Sequence, residues 1–181
     1  MGLMGGVTRQ MENQYTTNRQ WSDKFLPEMK SILGRLFIGE APKEEDAWHN
    51  TDLIVLKLEP LRFACRVRRY KYYGAFKNEF TFRAAIPNNG KTELAKIIEG
   101  YGDYFFYGFA SEDESHLHSW IIGDLKVFRL WFNRCLTIGN LPWERKSNND
   151  GSSDFLVFKL TDLPKEFIAH SFCVESEYVY N

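Results

Sequence analysis

The fold is decided by residues 51–85, whose sequence is TDLIVLKLEPLRFACRVRRYKYYGAFKNEFTFRAA. Three β-strands are predicted within this stretch. Residues 51–58 are rich in branched apolar side chains, and Pro60 ends the run. Residues 62–70 and 79–85 alternate between two faces with the two-residue period of a half-buried strand. Because the links between the three runs are short, we expect them to be antiparallel neighbours.

Helices and a fourth strand are predicted on either side of this stretch. Upstream, apolar residues recur at helical spacing: Phe25, Met29, Ile32, Leu33, Leu36 and Phe37. Downstream, Thr92 and Glu93 open a second helix that ends at Gly100, and the aromatic run 103–110 (DYFFYGFA) indicates a buried strand. The order αβββαβ predicts an α/β fold with a central mixed β-sheet flanked by helices, in which the second helix permits a parallel crossover.

The rest of the chain is assigned around this core. Residues 1–20 are polar and rich in glycine, so they are predicted to form a flexible N-terminal arm. Residues 21–181 then form a single α/β domain, with the core at 21–110 and a C-terminal extension at 111–181. Within the extension, Asp124 is placed to cap a further helix.

Composition excludes several classes of protein. The 181 residues carry 23 Lys and Arg against 24 Asp and Glu, a net charge of −1, which excludes a uniformly basic coat of the histone kind. A hydrophobic content of 44% excludes a disordered chain. Three cysteines without a C-x-x-C pair argue against a disulfide framework and a cysteine zinc site. No apolar run approaches the ~20 residues of a membrane-spanning helix, and residues 1–6 lack the pattern of a signal peptide. We therefore expect a cytoplasmic protein with no membrane partner.

Opposite charges are nevertheless segregated along the chain. Acidic residues gather at 40–52 and 112–114, whereas basic residues gather in the strand 62–70 and just after it. Arg62, Arg66 and Arg68 share one face of that strand by their spacing. Beside the tyrosines that follow, these arginines match a phosphate-binding strip with stacking rings. The predicted nucleic-acid-binding residues are Arg62, Arg66, Arg69 and Lys71. An equal alternative is a solvated face, or ion pairs with Glu59 and Glu79.

One part of this pattern resembles a known family. The element order, together with NTDLIV at 50–55 and the following strand FACRVRRY at 63–70, resembles the PD-(D/E)XK (restriction-endonuclease-like) nuclease superfamily. The resemblance implies a restriction-endonuclease-like core and a Mg²⁺-dependent DNA phosphodiesterase in which Asp52 is a metal ligand. Without the resemblance, Asp52 is better explained as a turn or cap residue than as a metal ligand.

The match departs from the family at its second motif. The family would place an acidic residue or Gln at Arg66 and a Lys at Arg68, so the chain has Arg-x-Arg for Glu-x-Lys. Arg68 keeps a positive charge, but Arg66 cannot bind a metal. Glu79 is then the candidate second carboxylate, with Glu93 and Glu28 as weaker ones. The predicted catalytic residues are Asp52, Glu79 and Arg68, and the predicted Mg²⁺ ligands are Asp52 and Glu79.

Two further hypotheses belong to other classes of protein. The Arg-x-Arg motif is equally consistent with an inactive pseudo-nuclease that binds nucleic acid or a protein partner. Residues 92–104 (TELAKIIEGYGDY) resemble phage and prophage proteins to which no activity is attached. A phage factor made in a bacterial host cell would use its apolar, aromatic tail at 155–180 as a surface for a homodimer or a host protein.

Two other features are assigned without a catalytic role. His116 and His118 could ligate a metal, but no third ligand is evident and the adjacent acidic loop is better explained as facing solvent. Cys65, on the strand face opposite the arginines, is predicted to be a core thiol.

Overall fold

The computed structural model describes residues 17–36, 38–40, 53–55, 60–85, 90–148, 150–151 and 153–173. The helices are α1 (Leu26–Leu36), the single turn α2 (Tyr73–Phe76), α3 (Glu93–Ile98) and α4 (Leu125–Ile138). The strands are β1 (Ile38–Glu40), β2 (Leu53–Val55), β3 (Phe63–Arg68), β4 (Glu79–Ala85), β5 (Tyr104–Ala110), β6 (Leu117–Asp124), β7 (Trp143–Ser147), β8 (Asp154–Lys159) and β9 (Ile168–Cys173). They form an α/β domain with mixed and antiparallel sheets flanked by helices.

The described strands are distributed over three sheets. The largest is mixed and has the order β3-β5-β6-β9, in which β3 runs parallel to β5 and the other pairs are antiparallel. A three-stranded antiparallel sheet has the order β4-β8-β7, and β1 pairs with β2 in a short antiparallel ladder. The predicted strands at 62–70 and 79–85 therefore lie in two different sheets.

The predicted antiparallel pairing of those two strands is wrong. β3 pairs in parallel with β5, from Phe63 opposite Tyr104 to Arg68 opposite Phe109, whereas β4 pairs with β8. The link between β3 and β4 is the cause, because it forms a 3₁₀ turn at Tyr70–Tyr72 followed by α2. A helical link of this length carries the chain out of one sheet and into the other. The specific restriction-endonuclease-like core is not confirmed by this pairing.

The main core lies between the mixed sheet and the three-stranded sheet. Phe105 and Tyr107 of β5 face Phe80 and Phe82 of β4, and the Phe82 and Phe105 ring centroids are 4.7 Å apart. α4 closes this layer with Phe128, which is fully buried. Because buried aromatic rings remove large apolar areas from water, this layer is the main source of hydrophobic stabilisation.

A second core lies on the opposite face of the mixed sheet. Met29 and Ile32 of α1, together with Phe25 just before the helix, are buried there against Val67 of β3 and Phe106 of β5. The helical spacing of apolar residues upstream of the strands is thus confirmed for its described members, while Phe37 lies outside the described residues. The chain before α1 is helical at 17–23, so residues 17–20 of the predicted arm have regular structure.

The local end signals of two helices are confirmed. The Thr92 hydroxyl accepts a hydrogen bond from the Ala95 N–H at 3.2 Å. The Asp124 carboxylate accepts from the N–H groups of Lys126 and Val127 at 2.7 and 3.1 Å. Such caps satisfy donors that have no partner within the helix. Of the helices that the structure describes, none is long and apolar enough to cross a membrane.

Candidate nucleic-acid interface

The predicted site residues do not converge on one point in the described structure. Asp52 lies outside the described residues, so neither of its predicted roles can be placed. Arg62 is exposed, and its backbone N–H donates to the Asp103 carboxylate at 2.7 Å. The remaining predicted residues are held by different sets of neighbours.

Arg66 is used to join secondary-structure elements. Its guanidinium donates to the Thr81 carbonyl oxygen at 2.7 Å and to the Thr81 hydroxyl at 3.0 Å. It also donates to the Glu93 carboxylate at 2.5 Å, and that carboxylate accepts the Arg83 N–H at 3.1 Å. The interpretation of this arginine as an ion-pair partner is confirmed, but the partner is Glu93 instead of Glu79. The Arg66 and Glu93 side chains therefore connect β3, β4 and α3.

Arg69 is likewise engaged within the protein. It forms an ion pair with Glu114, and its guanidinium carbon lies 4.3 Å from the Trp21 ring centroid. Glu114 also accepts from the Trp21 indole N–H at 2.6 Å and from Lys24 at 3.2 Å. These donors, the indole first, lower the pKa of Glu114 to about 2. This cluster ties the segment before α1 to the loop between β5 and β6.

Glu28, a weaker metal-ligand candidate, has a similar structural role. Its carboxylate accepts the Leu117 N–H at 2.9 Å and so attaches α1 to β6.

Arg68 has a different environment. Its guanidinium donates to the Tyr107 hydroxyl at 3.3 Å, and its central carbon lies 4.8 Å from the Tyr72 ring centroid and 5.1 Å from that of Phe76. Lys71, which is exposed, has its ammonium 5.1 Å from the same Tyr72 ring. Cations at these distances from ring centroids are attracted by the negative ring faces.

Residues 68–77 together form what we call the basic–aromatic turn. It comprises the end of β3, the 3₁₀ turn and α2, and it ends at Lys77, whose ammonium lies 5.5 Å from the Tyr73 ring centroid. Lys71, Tyr72 and Lys77 are exposed. The turn thus presents positive charge and an aromatic ring to solvent on one short segment.

Glu79 lines a cleft of about 490 Å³ next to this turn. The cleft lies between the inner face of the mixed sheet and the chain that enters β4. Its described walls are formed by Tyr73, Lys77, Asn78, Glu79, Tyr107, Phe109, Ser119, Trp120, Ile121, Leu160, Ser171, Phe172 and Cys173. Glu79 is half-buried at the first position of β4.

Tyr107 connects the cleft to Arg68. Burial raises the pKa of Tyr107, and Glu79 raises it further, while Arg68 acts in the opposite direction. The phenol is therefore protonated at neutral pH. Its oxygen accepts the Arg68 hydrogen bond, so its own hydrogen remains available to a further acceptor.

The metal-ligating side chains among the described residues do not by themselves form the two-carboxylate Mg²⁺ site that the family resemblance implied. Among the described residues, no group of three His, Cys, Asp or Glu side chains could hold a metal ion. Glu79 is the one carboxylate among the described cleft residues. Mg²⁺ requires near-octahedral coordination by oxygen atoms. The positive charge of Arg68 beside Tyr107 also repels a cation.

The two histidines of the H-x-H pattern contact neighbouring side chains, which favours a structural role over metal binding. His116 Nδ1 lies 2.9 Å from the Ser115 hydroxyl oxygen, on the exposed loop. The His118 ring packs edge-on against Tyr73, with ring centroids 4.5 Å apart.

The exposure of Cys65 differs from the prediction. It is exposed, although it was predicted to be a core thiol. β3 is an edge strand of the mixed sheet, so Cys65 has a neighbouring strand on one side alone among the described strands.

Sequence reasoning missed the residues that make the cleft polar. Tyr107 was assigned as part of a buried aromatic strand, and nothing local indicated that its hydroxyl meets Arg68. The register of the parallel β3–β5 pair would have indicated this contact. Tyr107 lies directly opposite Arg66 in that pair, and Arg68 is the next residue on the same face of β3. That pairing itself was not predicted.

Comparison of the chain with models of protein families, with curated proteins and with solved structures finds no match.

Proposed function

We propose that this chain binds nucleic acid through the basic–aromatic turn, as a nuclease-like protein whose metal-binding motif is incomplete. The observation that carries the proposal is the exposure of Lys71, Tyr72 and Lys77 on one segment, next to Arg68. Ammonium groups contact phosphates, and an exposed ring stacks on an unpaired base. Arg66 and Arg69 are omitted from the contact surface because both are held by carboxylates.

The charge balance of the chain sets the expected strength of binding. With a net charge of −1, the protein as a whole does not attract a polyanion, so binding depends on a few local cations. We therefore expect weak affinity that falls with added salt. Single-stranded nucleic acid is the better ligand, because stacking on Tyr72 needs an unpaired base.

The test is fluorescence anisotropy with a labelled single-stranded 20-nucleotide DNA over a series of salt concentrations. The double variant Lys71→Ala/Lys77→Ala removes two cations from the turn. It should lower affinity and reduce the slope of log K against log salt by about 1.4, at about 0.7 for each phosphate contact with a single strand. Tyr72→Ala should lower affinity without changing that slope.

A matched control is available elsewhere on the surface. Lys126→Ala/Lys165→Ala removes two exposed lysines that lie outside the turn. An equal loss of affinity in both double variants would contradict the proposal, and so would absence of binding by the unaltered chain.

A second candidate function is the Mg²⁺-dependent DNA phosphodiesterase implied by the family resemblance. Its support is the position of Glu79, half-buried in the cleft and close enough to Tyr107 to raise its pKa. Under our main proposal, DNA is bound but not cleaved in Mg²⁺ or Mn²⁺. Cleavage that is abolished by Asp52→Ala and by Glu79→Gln would establish the phosphodiesterase instead.

A further inference from the structure

The floor of the cleft beside the basic–aromatic turn carries a thiol. Phe109 of β5, Ser119 of β6 and Cys173 of β9 lie directly opposite one another across the mixed sheet. Residues that are opposite each other on neighbouring strands point to the same face of a sheet. Phe109 belongs to the main core, so Ser119 and Cys173 also lie on that face, and all three line the cleft. The half-buried Cys173 thiol therefore faces the cleft.

The Tyr73 side chain lies against this thiol. Its hydroxyl oxygen is 3.1 Å from Cys173 Sγ, and its ring packs edge to face against Phe109 with centroids 5.4 Å apart. A thiolate can only accept a hydrogen bond, so Tyr73 donates to the ionised sulfur and stabilises it. The Lys77 ammonium, 5.5 Å from the Tyr73 ring centroid, acts in the same direction, while Glu79 in the same cleft opposes it. The thiolate is the reactive form of cysteine.

The Ser119 hydroxyl is a donor without a partner at the same place. Ser119 is 8% exposed, and its hydroxyl makes no hydrogen bond with the part of the chain that the structure describes. A buried donor that lacks an acceptor is unfavourable. An oxygen atom bonded to Cys173 Sγ, directly across the strand pair, would provide that acceptor. Oxidation of the sulfur therefore satisfies a hydroxyl that the reduced protein leaves unpaired.

The other two cysteines have different surroundings. Cys65 is exposed, but partial desolvation raises the pKa of its thiol, which lowers the thiolate fraction at neutral pH. Cys135 of α4 is buried. Exposure alone would make Cys65 the most reactive of the three, whereas the hydroxyl groups around the sulfur favour Cys173.

We propose that Cys173 is a site of reversible oxidation by hydrogen peroxide, which enters through the cleft. The thiolate sulfur attacks one peroxide oxygen, so an S–O bond forms as the O–O bond breaks. The departing hydroxide takes up the proton that the thiol released and becomes water. The sulfur is oxidised by two electrons to a sulfenic acid, and the peroxide is reduced. Two molecules of a small thiol, oxidised to their disulfide, return Cys173 to the thiol and release water. This site is separate from the proposed binding of nucleic acid.

The first test compares the three cysteines within the reduced, unaltered chain. A short pulse of iodoacetamide at neutral pH, followed by peptide mass spectrometry, should show alkylation of Cys173 about fivefold faster than that of Cys65. Cys135 should be alkylated after unfolding. Hydrogen peroxide followed by dimedone, which traps sulfenic acids, should label Cys173 selectively. Dithiothreitol added before dimedone should remove that label.

Three variants then separate the roles of the hydroxyl groups. Tyr73→Phe keeps the ring and should lower both the alkylation rate and the dimedone yield at Cys173 several-fold. Ser119→Ala should lower the dimedone yield several-fold but leave the alkylation rate unchanged, because Ser119 acts on the bound oxygen. Ser171→Ala is the matched control: it removes a hydroxyl from the same cleft that lies opposite Ile121, and it should change neither measurement. Thermal unfolding shows that each variant remains folded.

The results that would overturn the inference do not depend on nucleic acid. Alkylation of Cys65 as fast as that of Cys173 in the unaltered chain is one such result, and the absence of a dimedone adduct at Cys173 is another. Equal dimedone yields in Ser119→Ala and Ser171→Ala would overturn the role of Ser119 in holding the oxygen.

Discussion

Nη2 of Arg66 lies 2.5 Å from Oε2 of Glu93, a residue 27 positions further along the chain. Arg66 occupies the position at which the resembled nuclease family has its metal-binding acid, and Glu93 was considered as its replacement. The ion pair removes both residues from metal chemistry. It also joins β3 to the first turn of α3, with Thr81 of β4 between them.

The first prediction concerns the stability that this pair provides. The two side chains are 29% and 25% exposed, so removal of one partner leaves the other partly desolvated and unpaired. Arg66→Met and Glu93→Gln should each lower the free energy of unfolding by about 1–3 kcal/mol. Urea denaturation measures the change. Arg62→Met, at an exposed position just before β3, is the control and should change stability by less than about 0.5 kcal/mol. Equal effects at positions 62 and 66 would refute the structural role.

The second prediction concerns the pH dependence of stability at Glu114. Hydrogen bonds from Trp21, Arg69 and Lys24 lower the pKa of this carboxyl to about 2 in the folded protein, from 4.5. A depressed folded-state pKa stabilises the protein fully above pH 4.5, and this contribution is lost as the pH falls towards 2. Glu114→Gln should therefore be less stable than the unaltered chain at pH 7.

The difference between the two proteins should become smaller on acidification below pH 4.5. Urea denaturation at pH 7, 4 and 3 provides the comparison. Because the segment before α1 is tied to the loop through this residue, hydrogen exchange of residues 17–25 should also be faster in the variant. A stability difference that is constant across the pH series would show that the carboxylate charge is not responsible.

The third prediction concerns the close approach of Gly123 to Phe167. A Cβ atom at position 123 would lie 2.4 Å from Cζ of the Phe167 ring, which is fully buried and cannot move aside. Gly123→Ala should therefore destabilise the protein by about 1–3 kcal/mol through overpacking.

Gly34 in α1 is the matched control, because a Cβ atom there meets nothing within 4 Å. Gly34→Ala should stabilise the protein by about 0.5–1 kcal/mol, since alanine restricts the unfolded chain. Thermal unfolding of the two variants should give shifts of opposite sign. A neutral Gly123→Ala would mean that Phe167 is less constrained than its burial indicates.

The fourth prediction concerns the cap of α4. Asp124 accepts hydrogen bonds from the N–H groups of Lys126 and Val127, which have no partner within the helix. Asp124→Ala should cost about 1 kcal/mol in chemical denaturation. Asp124→Asn retains an accepting oxygen and should recover most of this loss. If the two variants are equally destabilised, the charge of Asp124 matters more than its hydrogen bonds.

Features that depend on neighbouring residues in the sequence were predicted correctly. The apolar spacing of Phe25, Met29 and Ile32 predicted the buried face of α1 and of the residue before it. Thr92 was recognised as the start of a helix, and Asp124 as a helix cap. A helical period and a cap involve residues within one or two turns, so the local sequence contains the information they need.

The pairing of the strands could not be predicted in the same way. Alternation in β3 and β4 showed two strands, but it did not show which strand each would pair with. β3 pairs with β5 across the α2–β4–α3 segment, because the aromatic faces of both sheets are buried against each other. Short links suggested a hairpin, and the helical turn after Arg68 redirected the chain.

The sequence alone determined that Arg66 and Arg68 share a strand face, because side chains two positions apart on a strand point the same way. Their different environments were decided by the tertiary structure. Glu93 approaches Arg66 from α3, and the Tyr107 hydroxyl approaches Arg68 from β5. Partners this distant in the chain meet only when the sheets pack, because charge and hydroxyl groups carry no local signal of their eventual neighbours.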